Sequence, residues 1–207
     1  NFSKLRIMAD RNAEIQLKSK LWKNSGNLEA VAADDGASLI GIENLKHVVC
    51  FDMAQLMGNV RVGASIVFRD GRPSKKEYRT YRVKSDALDD ISMMKEIVSR
   101  WIKNQNEWPD LILLDGGIAH LSIINKLIRD LGFEGKFKVA ALAKREERLY
   151  TENENEYTLD RKGRIFIYAR DEAHRFVNSF HSKRRNKIAL GDPLEVIEGL
   201  GAKKIFF

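Results

Sequence analysis

The sequence predicts an α/β fold built on a mixed sheet flanked by helices, and three observations carry that expectation. Two short apolar runs, Val48-Val49-Cys50-Phe51 and Leu111-Ile112-Leu113-Leu114, each end in an aspartate and show no polar alternation. That is the pattern of strands covered on both faces. Between them lie strand-like segments separated by turn residues, and after them helical patterns alternate with further apolar runs.

Residues 2–23 carry Leu5, Ile7, Met8, Ile15, Leu17, Leu21 and Trp22 among many charges, which suits an amphipathic helix leading into the domain. Residues 24–45 read as softer, with Gly26, Gly36 and Gly41 as breaks. Strands are predicted near 47–54, 60–68 and 76–83, joined by turns at Gly58-Asn59 and Asp70-Gly71-Arg72-Pro73. A helix over 88–104 starts at Asp89-Asp90, where carboxylates favour a helix N-terminus. A strand over 110–115, a helix over 118–131, a strand over 137–142 and a helix over 165–188 complete the order. A three-stranded meander followed by alternating helices and strands is the order of the ribonuclease H-like fold, in which acids at the ends of neighbouring strands meet a group from a later helix. The expected organisation is a helical lead-in over 1–41, a ribonuclease H-like domain over 42–190 and a short C-terminal segment over 191–207.

At 207 residues the chain can bury one substantial core. Its net charge of +7 and pI near 9.4 favour a polyanionic partner. No apolar run approaches the roughly 20 residues that cross a bilayer, and no signal-peptide pattern opens the chain, so no membrane partner and a cytoplasmic location are expected. The start at Asn1 and the stop after Ile205-Phe206-Phe207 look cut from a longer protein. With Cys50 as the single cysteine, a disulfide framework and a cysteine zinc site are excluded, and Cys50 reads as core. There is no internal repeat or proline-rich linker.

The chemistry concentrates in three places. A carboxylate set at the end of an apolar strand is costly unless it is paired or binds a cation, so Asp52 and Asp115 together suggest a shared ion. In Arg170-Asp171-Glu172-Ala173-His174-Arg175-Phe176, helical spacing puts Asp171, His174, Asn178 and His181 on one face, while Ala169, Ala173, Phe176, Val177 and Phe180 form an apolar stripe. Two aspartates and a histidine with open positions suit a Mg²⁺- or Mn²⁺-assisted phosphodiesterase. Each residue alone has a plainer reading, as a turn cap or a satisfied core histidine. Trp22, Trp101 and Trp108 read as packing anchors, and His47 and His120 stay unassigned. Asp171-Glu172-Ala173-His174 also spells a helicase motif, but the chain has no Gly-x-x-x-x-Gly-Lys-Ser/Thr loop, so ATP is not expected.

Cys50-Phe51-Asp52, Leu114-Asp115-Gly116-Gly117, Leu142-Ala143-Lys144 with Glu146-Glu147, and Arg170 to Phe176 with His181 and Lys183-Arg184-Arg185 together resemble the C-terminal half of the UvrC family. That family is the C component of the bacterial nucleotide-excision-repair excinuclease. The resemblance spans roughly residues 42–204, and Leu194 to Lys204 resembles the start of the family's helix-hairpin-helix, where a Gly-x-Gly turn offers N–H groups to phosphate. It implies a metal-dependent endonuclease that incises on the 5′ side of a lesion, with Asp52, Asp115 and His174 as catalytic and metal-binding residues. It further implies support from Asp90, with Asp171 and His181 as possible helpers. DNA contacts are expected from Lys144, Arg175, Lys183, Arg184, Arg185, Lys187, Lys203 and Lys204.

The implied partners are damaged double-stranded DNA and, in the full-length protein, the B component of the excinuclease. The sequence departs from the family pattern at Gln55, where a histidine is usual, and at Ile118-Ala119-His120, where Lys-Gly-Gln or Ile-Gly-Gln is common. A module that keeps the fold and binds DNA or a protein without turnover is the alternative from a different class.

Overall fold

The computed structural model describes residues 28–55, 61–85, 89–143, 147–152 and 155–189, with the backbone alone at 55 and 180–189. The predicted helix over 2–23, the turn at Gly58-Asn59 and the segment 191–207 lie outside the described residues. The elements run α1 (Leu28–Ile40), β1 (His47–Gln55), β2 (Arg61–Arg69), β3 (Arg72–Pro73), β4 (Arg79–Arg82), α2 (Asp90–Ile102), β5 (Leu111–Asp115), α3 (Ile118–Asp130), β6 (Lys138–Ala143), β7 (Arg148–Thr151), β8 (Glu156–Thr158) and α4 (Arg164–Ala189).

The strands form one mixed sheet of eight in the order β3-β2-β1-β5-β6-β7-β8, with β4 also paired to β2. β1–β5 and β5–β6 are parallel, and the remaining pairs are antiparallel. Side-chain alternation then builds a core on each face. Val48, Cys50, Leu111, Leu113, Ala140 and Leu142 pack toward Ala33 and Ala37 of α1 and Ile165, Phe166, Ala169 and Ala173 of α4. Val49, Phe51, Ile112, Leu114, Val139 and Ala141 pack toward Met94, Ile97 and Trp101 of α2 and Leu121, Ile124 and Ile128 of α3. Burial on both faces is why the central strands read as unbroken apolar runs. Cys50 is fully buried, as a core residue should be. Trp101 meets Phe51 edge-on at 5.5 Å and Trp108 stacks on Phe137 at 5.4 Å, both as packing anchors.

The predicted start of α2 is accurate in mechanism: Asp89 accepts a 2.8 Å hydrogen bond from the Ser92 N–H and caps the helix, leaving Asp90 as its first residue. Three expectations need correction. Residues 24–45 contain α1, which runs through Gly36. A Cβ there would lie 2.5 Å from Ile165 Cγ2 and 3.3 Å from Phe166 Cζ, so this glycine permits a close helix contact rather than breaking the helix. The third meander strand, expected over 76–83, is shortened to β4 by a 3-10 turn over Lys75–Glu77, which Ser74 Oγ stabilises by donating to Glu77 Oε2, and the short β3 falls within the expected turn at 70–73. The strands β7 and β8, absent from the sequence prediction, extend the sheet beyond β6.

Candidate active site

The parallel register of β1 and β5 pairs Val48 with Leu111 and carries on to Phe51 with Leu114. One step further stand Asp52 and Asp115, on the face that Cys50 and Leu113 already turn toward α4. Ala169, Ala173 and Val177 are buried, Ala169 and Ala173 within the core under α4, and His174 sits beside that stripe. Its Nε2 lies 2.6 Å from Asp115 Oδ2 and 3.6 Å from Asp52 Oδ2. One ligand atom from each of the three residues falls within 4.8 Å of the others.

Asp52 is only 4% exposed, and burial with the neighbouring Asp115 carboxylate pushes its pKa up to about 7 against the opposing pull of His174. A buried carboxylate of this kind lacks the solvation that stabilises its charge. The donor set fits a divalent cation on its chemistry: two carboxylates and an imidazole supply two hard anionic oxygens and one nitrogen. Binding would offset the charge that burial leaves uncompensated.

The other expected residues fall in distinct places. Asp171 is turned to Arg170, whose Nη2 donates to its Oδ1 at 3.0 Å, and it is not one of the three gathered groups. Asp90 is exposed at the N-terminus of α2. Arg175 makes a two-pronged ion pair with Glu172, donating from Nε and Nη2 at 2.6 Å each. His181, Lys183, Arg184, Arg185 and Lys187 lie on the last turns of α4, where the backbone alone is described. Lys144, Lys203 and Lys204 lie outside the described residues.

Sequence reasoning missed two polar clusters that flank His174. Glu172 is buried and accepts from the Tyr78 hydroxyl at 3.0 Å as well as from Arg175, fixing α4 to the segment before β4. Burial and the Glu172 charge hold the Tyr78 phenol well above its ordinary range. On the other side the buried Arg170 pairs with Asp171 and approaches Glu147. The available signal was composition: charged residues interleave with Ala169, Ala173 and Val177 on a helix whose inner face is apolar, so some of them had to be paired internally.

His120 sits over Gly116, where a Cβ would come 2.5 Å from its ring, so this departure from the family pattern depends on the glycine before it.

The sheet order, the helices on both faces and the two acids beside an imidazole define the class: a ribonuclease H-like α/β domain. Residues 37–177 match the family model described as the UvrC RNAse H endonuclease domain. The chain belongs to that family. A "UvrABC system protein C" from Christiangramia forsetii is 38% identical over 169 residues, 77% of this chain and 28% of that protein. Its counterpart from Flavobacterium johnsoniae is 41% identical over 167 residues, 76% of this chain and 28% of that one. The one from Synechocystis sp. is 32% identical over 211 residues, covering 94% and 33%. The chain thus spans about a third of the length of the curated relatives it matches. The solved NurA nuclease from Sulfolobus solfataricus is 12% identical at a TM-score of 0.38, covering 95% of this chain and 99% of that one, a likeness too loose to support an inference.

Proposed function

We propose that this domain is a divalent-metal-dependent DNA endonuclease of nucleotide excision repair that hydrolyses a phosphodiester on the 5′ side of a lesion. The observation that supports it is the meeting of Asp52, Asp115 and His174 from three separate elements within 4.8 Å. Asp52 and Asp115 would hold Mg²⁺ or Mn²⁺, with the His174 imidazole as third ligand or as the group that orients a water. The bound ion would supply the chemistry of lowering the pKa of water and offsetting charge on the phosphoryl oxygens. The residues themselves do the rest. Asp52, whose charge is disfavoured by burial, supplies an oxygen whose ionisation a bound cation would promote. Asp115 contacts His174 Nε2 and so sets which way the imidazole edge faces. Nε2 is the imidazole nitrogen that faces both carboxylates, so it is the atom of His174 placed to meet a shared ion or a water between them.

The basic residues fit the same reading. Lys183, Arg184, Arg185 and Lys187 continue the helix that carries His174, so cations and site share one helix. Lys144, Lys203 and Lys204 are proposed phosphate contacts, Asp90 and His181 support residues. Damaged duplex DNA and, in the full-length protein, the B component of the excinuclease are the proposed partners, in the cytoplasm. No helix among the described residues is long and apolar enough to cross a membrane.

The test is nicking of an end-labelled duplex carrying a lesion or bubble, with Mn²⁺, Mg²⁺ or chelator. Asp115→Ala and His174→Ala should each lower incision by about 10²-fold or more while unfolding remains cooperative. Binding without cutting in every condition would instead favour a non-catalytic module, and cuts mapping 3′ of the lesion would refute the assigned side.

A further inference from the structure

We propose that Arg170 is a positioning residue for this site, setting where the His174 imidazole stands relative to Asp115 by linking α4 to Glu147 at the start of β7. The proposal rests on the reading of Asp52, Asp115 and His174 as the cation site.

Arg170 lies four residues before His174, one helical turn away on the same side of α4. Its side chain is 6% exposed, so it cannot serve DNA as a surface cation. Nε and Nη2 donate to Asp171 Oδ1 at 3.2 and 3.0 Å, and Nη2 stands 4.0 Å from Glu147 Oε1. Glu147 directly precedes β7 with φ of 49°, a left-handed backbone uncommon for a non-glycine residue, and its carbonyl accepts the Leu159 N–H at 3.2 Å. β6 in turn is hydrogen-bonded to β5 with Leu142 opposite Asp115. Ala143 of β6 is paired with Arg148 of β7, next to Glu147, so a path from Asp115 through β6 and β7 to Glu147 and Arg170 closes on the helix that presents His174.

A field effect on the carboxylates is the rival account. Asp171, in direct contact, cancels the guanidinium charge, and Glu147 adds a second negative charge at its edge. Little net field remains to act on Asp52 or Asp115, so the contribution is one of geometry. General stability is the other rival. Asp171 is a quarter exposed, and Glu147 is 56% exposed, so both can turn to water when the guanidinium is removed. Loss of the clamp then strands no buried charge, and its effect should fall on the position of the imidazole.

The experiment uses Arg170→Lys, Arg170→Met and Glu147→Gln in this same chain, with three readouts: cooperative unfolding by circular dichroism, ¹⁵N-edited imidazole spectra of His174 in chelator, and calorimetric titration with Mn²⁺. Glu147→Gln should unfold at the wild-type temperature yet shift the His174 ring signals. Arg170→Met should shift them further and weaken Mn²⁺ about tenfold, and Arg170→Lys should recover only part of the affinity because an ammonium cannot span both acids as a planar fork does. Unchanged His174 signals in all the folded variants would overturn the proposal. If Arg170→Met does not fold, Glu147→Gln and Arg170→Lys still decide it. Absence of Mn²⁺ binding by the wild type would instead remove the cation reading, and the imidazole spectra, taken without metal, would still judge the clamp.

Discussion

Replacing Asp52 by asparagine should make the metal-free protein more stable at alkaline pH, the opposite of what most buried substitutions do. The side chain is buried beside Asp115, and its pKa stands at about 7 rather than at the ordinary 3.8. The folded state therefore keeps a proton that the unfolded chain has already released. A raised carboxylate leaves stability whole below the unfolded pKa and removes it progressively as pH climbs from 3.8 through about 7. A gap of roughly three units, at about 1.36 kcal/mol each, gives a loss of ~4 kcal/mol above pH 8, of which ~3 kcal/mol falls above pH 5. Asparagine has no such titration. It gives up part of a carboxylate hydrogen bond from the Met53 backbone, a cost of about 1 kcal/mol.

The assay is urea unfolding of wild type and Asp52→Asn in chelator at pH 5 and pH 8. The stability difference in favour of the variant should grow by about 2–3 kcal/mol between them. Mn²⁺ at a hundred times its dissociation constant should then add about 2.7 kcal/mol to the wild type at pH 8, and far less to the variant. A difference that does not change with pH would refute the account of Asp52 as a carboxylate strained by burial.

Gly71 has φ of 74°, and a Cβ there would meet the Glu29 carbonyl oxygen at 2.1 Å, so Gly71→Ala should cost more than about 2 kcal/mol in denaturant unfolding. Gly36→Ala gains roughly 1 kcal/mol of helix propensity but collides with Ile165, and a net loss of about 1–2 kcal/mol is expected by the same assay. Replacing Lys183, Arg184 and Arg185 together by alanine should flatten the slope of log binding constant against log salt for duplex DNA by up to about 2.7, at about 0.9 for each phosphate no longer neutralised. A salt titration in a binding assay measures it, and an unchanged slope would take the run off the DNA.

The centre of this fold was legible because its strands are covered on both sides. β1 and β5 announced themselves as apolar runs, and an acid at the end of each marked the sheet edge where a site could form. β7 and β8 were not legible: only Leu149 is buried among Arg148-Leu149-Tyr150-Thr151, and Glu156-Tyr157-Thr158 is too short and polar to show a pattern. Their strand character comes from pairing, β7 to β6 and β8 to β7, a tertiary cause. Gly36 misled for a related reason, since its value lies in what presses on it from α4 rather than in its own backbone preference. Within the site, types and spacing singled out Asp52, Asp115 and His174. The pairing of Glu172 with Tyr78 joins distant segments and leaves no periodic trace.

The parallel pairing of β1 with β5 has a kinetic consequence. Parallel neighbours cannot be joined by a tight hairpin, so the whole meander and α2 must be threaded between them before their edges meet. The carboxylate pair therefore depends on a contact between segments distant in sequence, whose loop-closure entropy has to be offset before it forms. Asp52 and Asp115 are thereby brought together only when β1 and β5 pair, so a chain that stops short of β5 lacks the pair altogether.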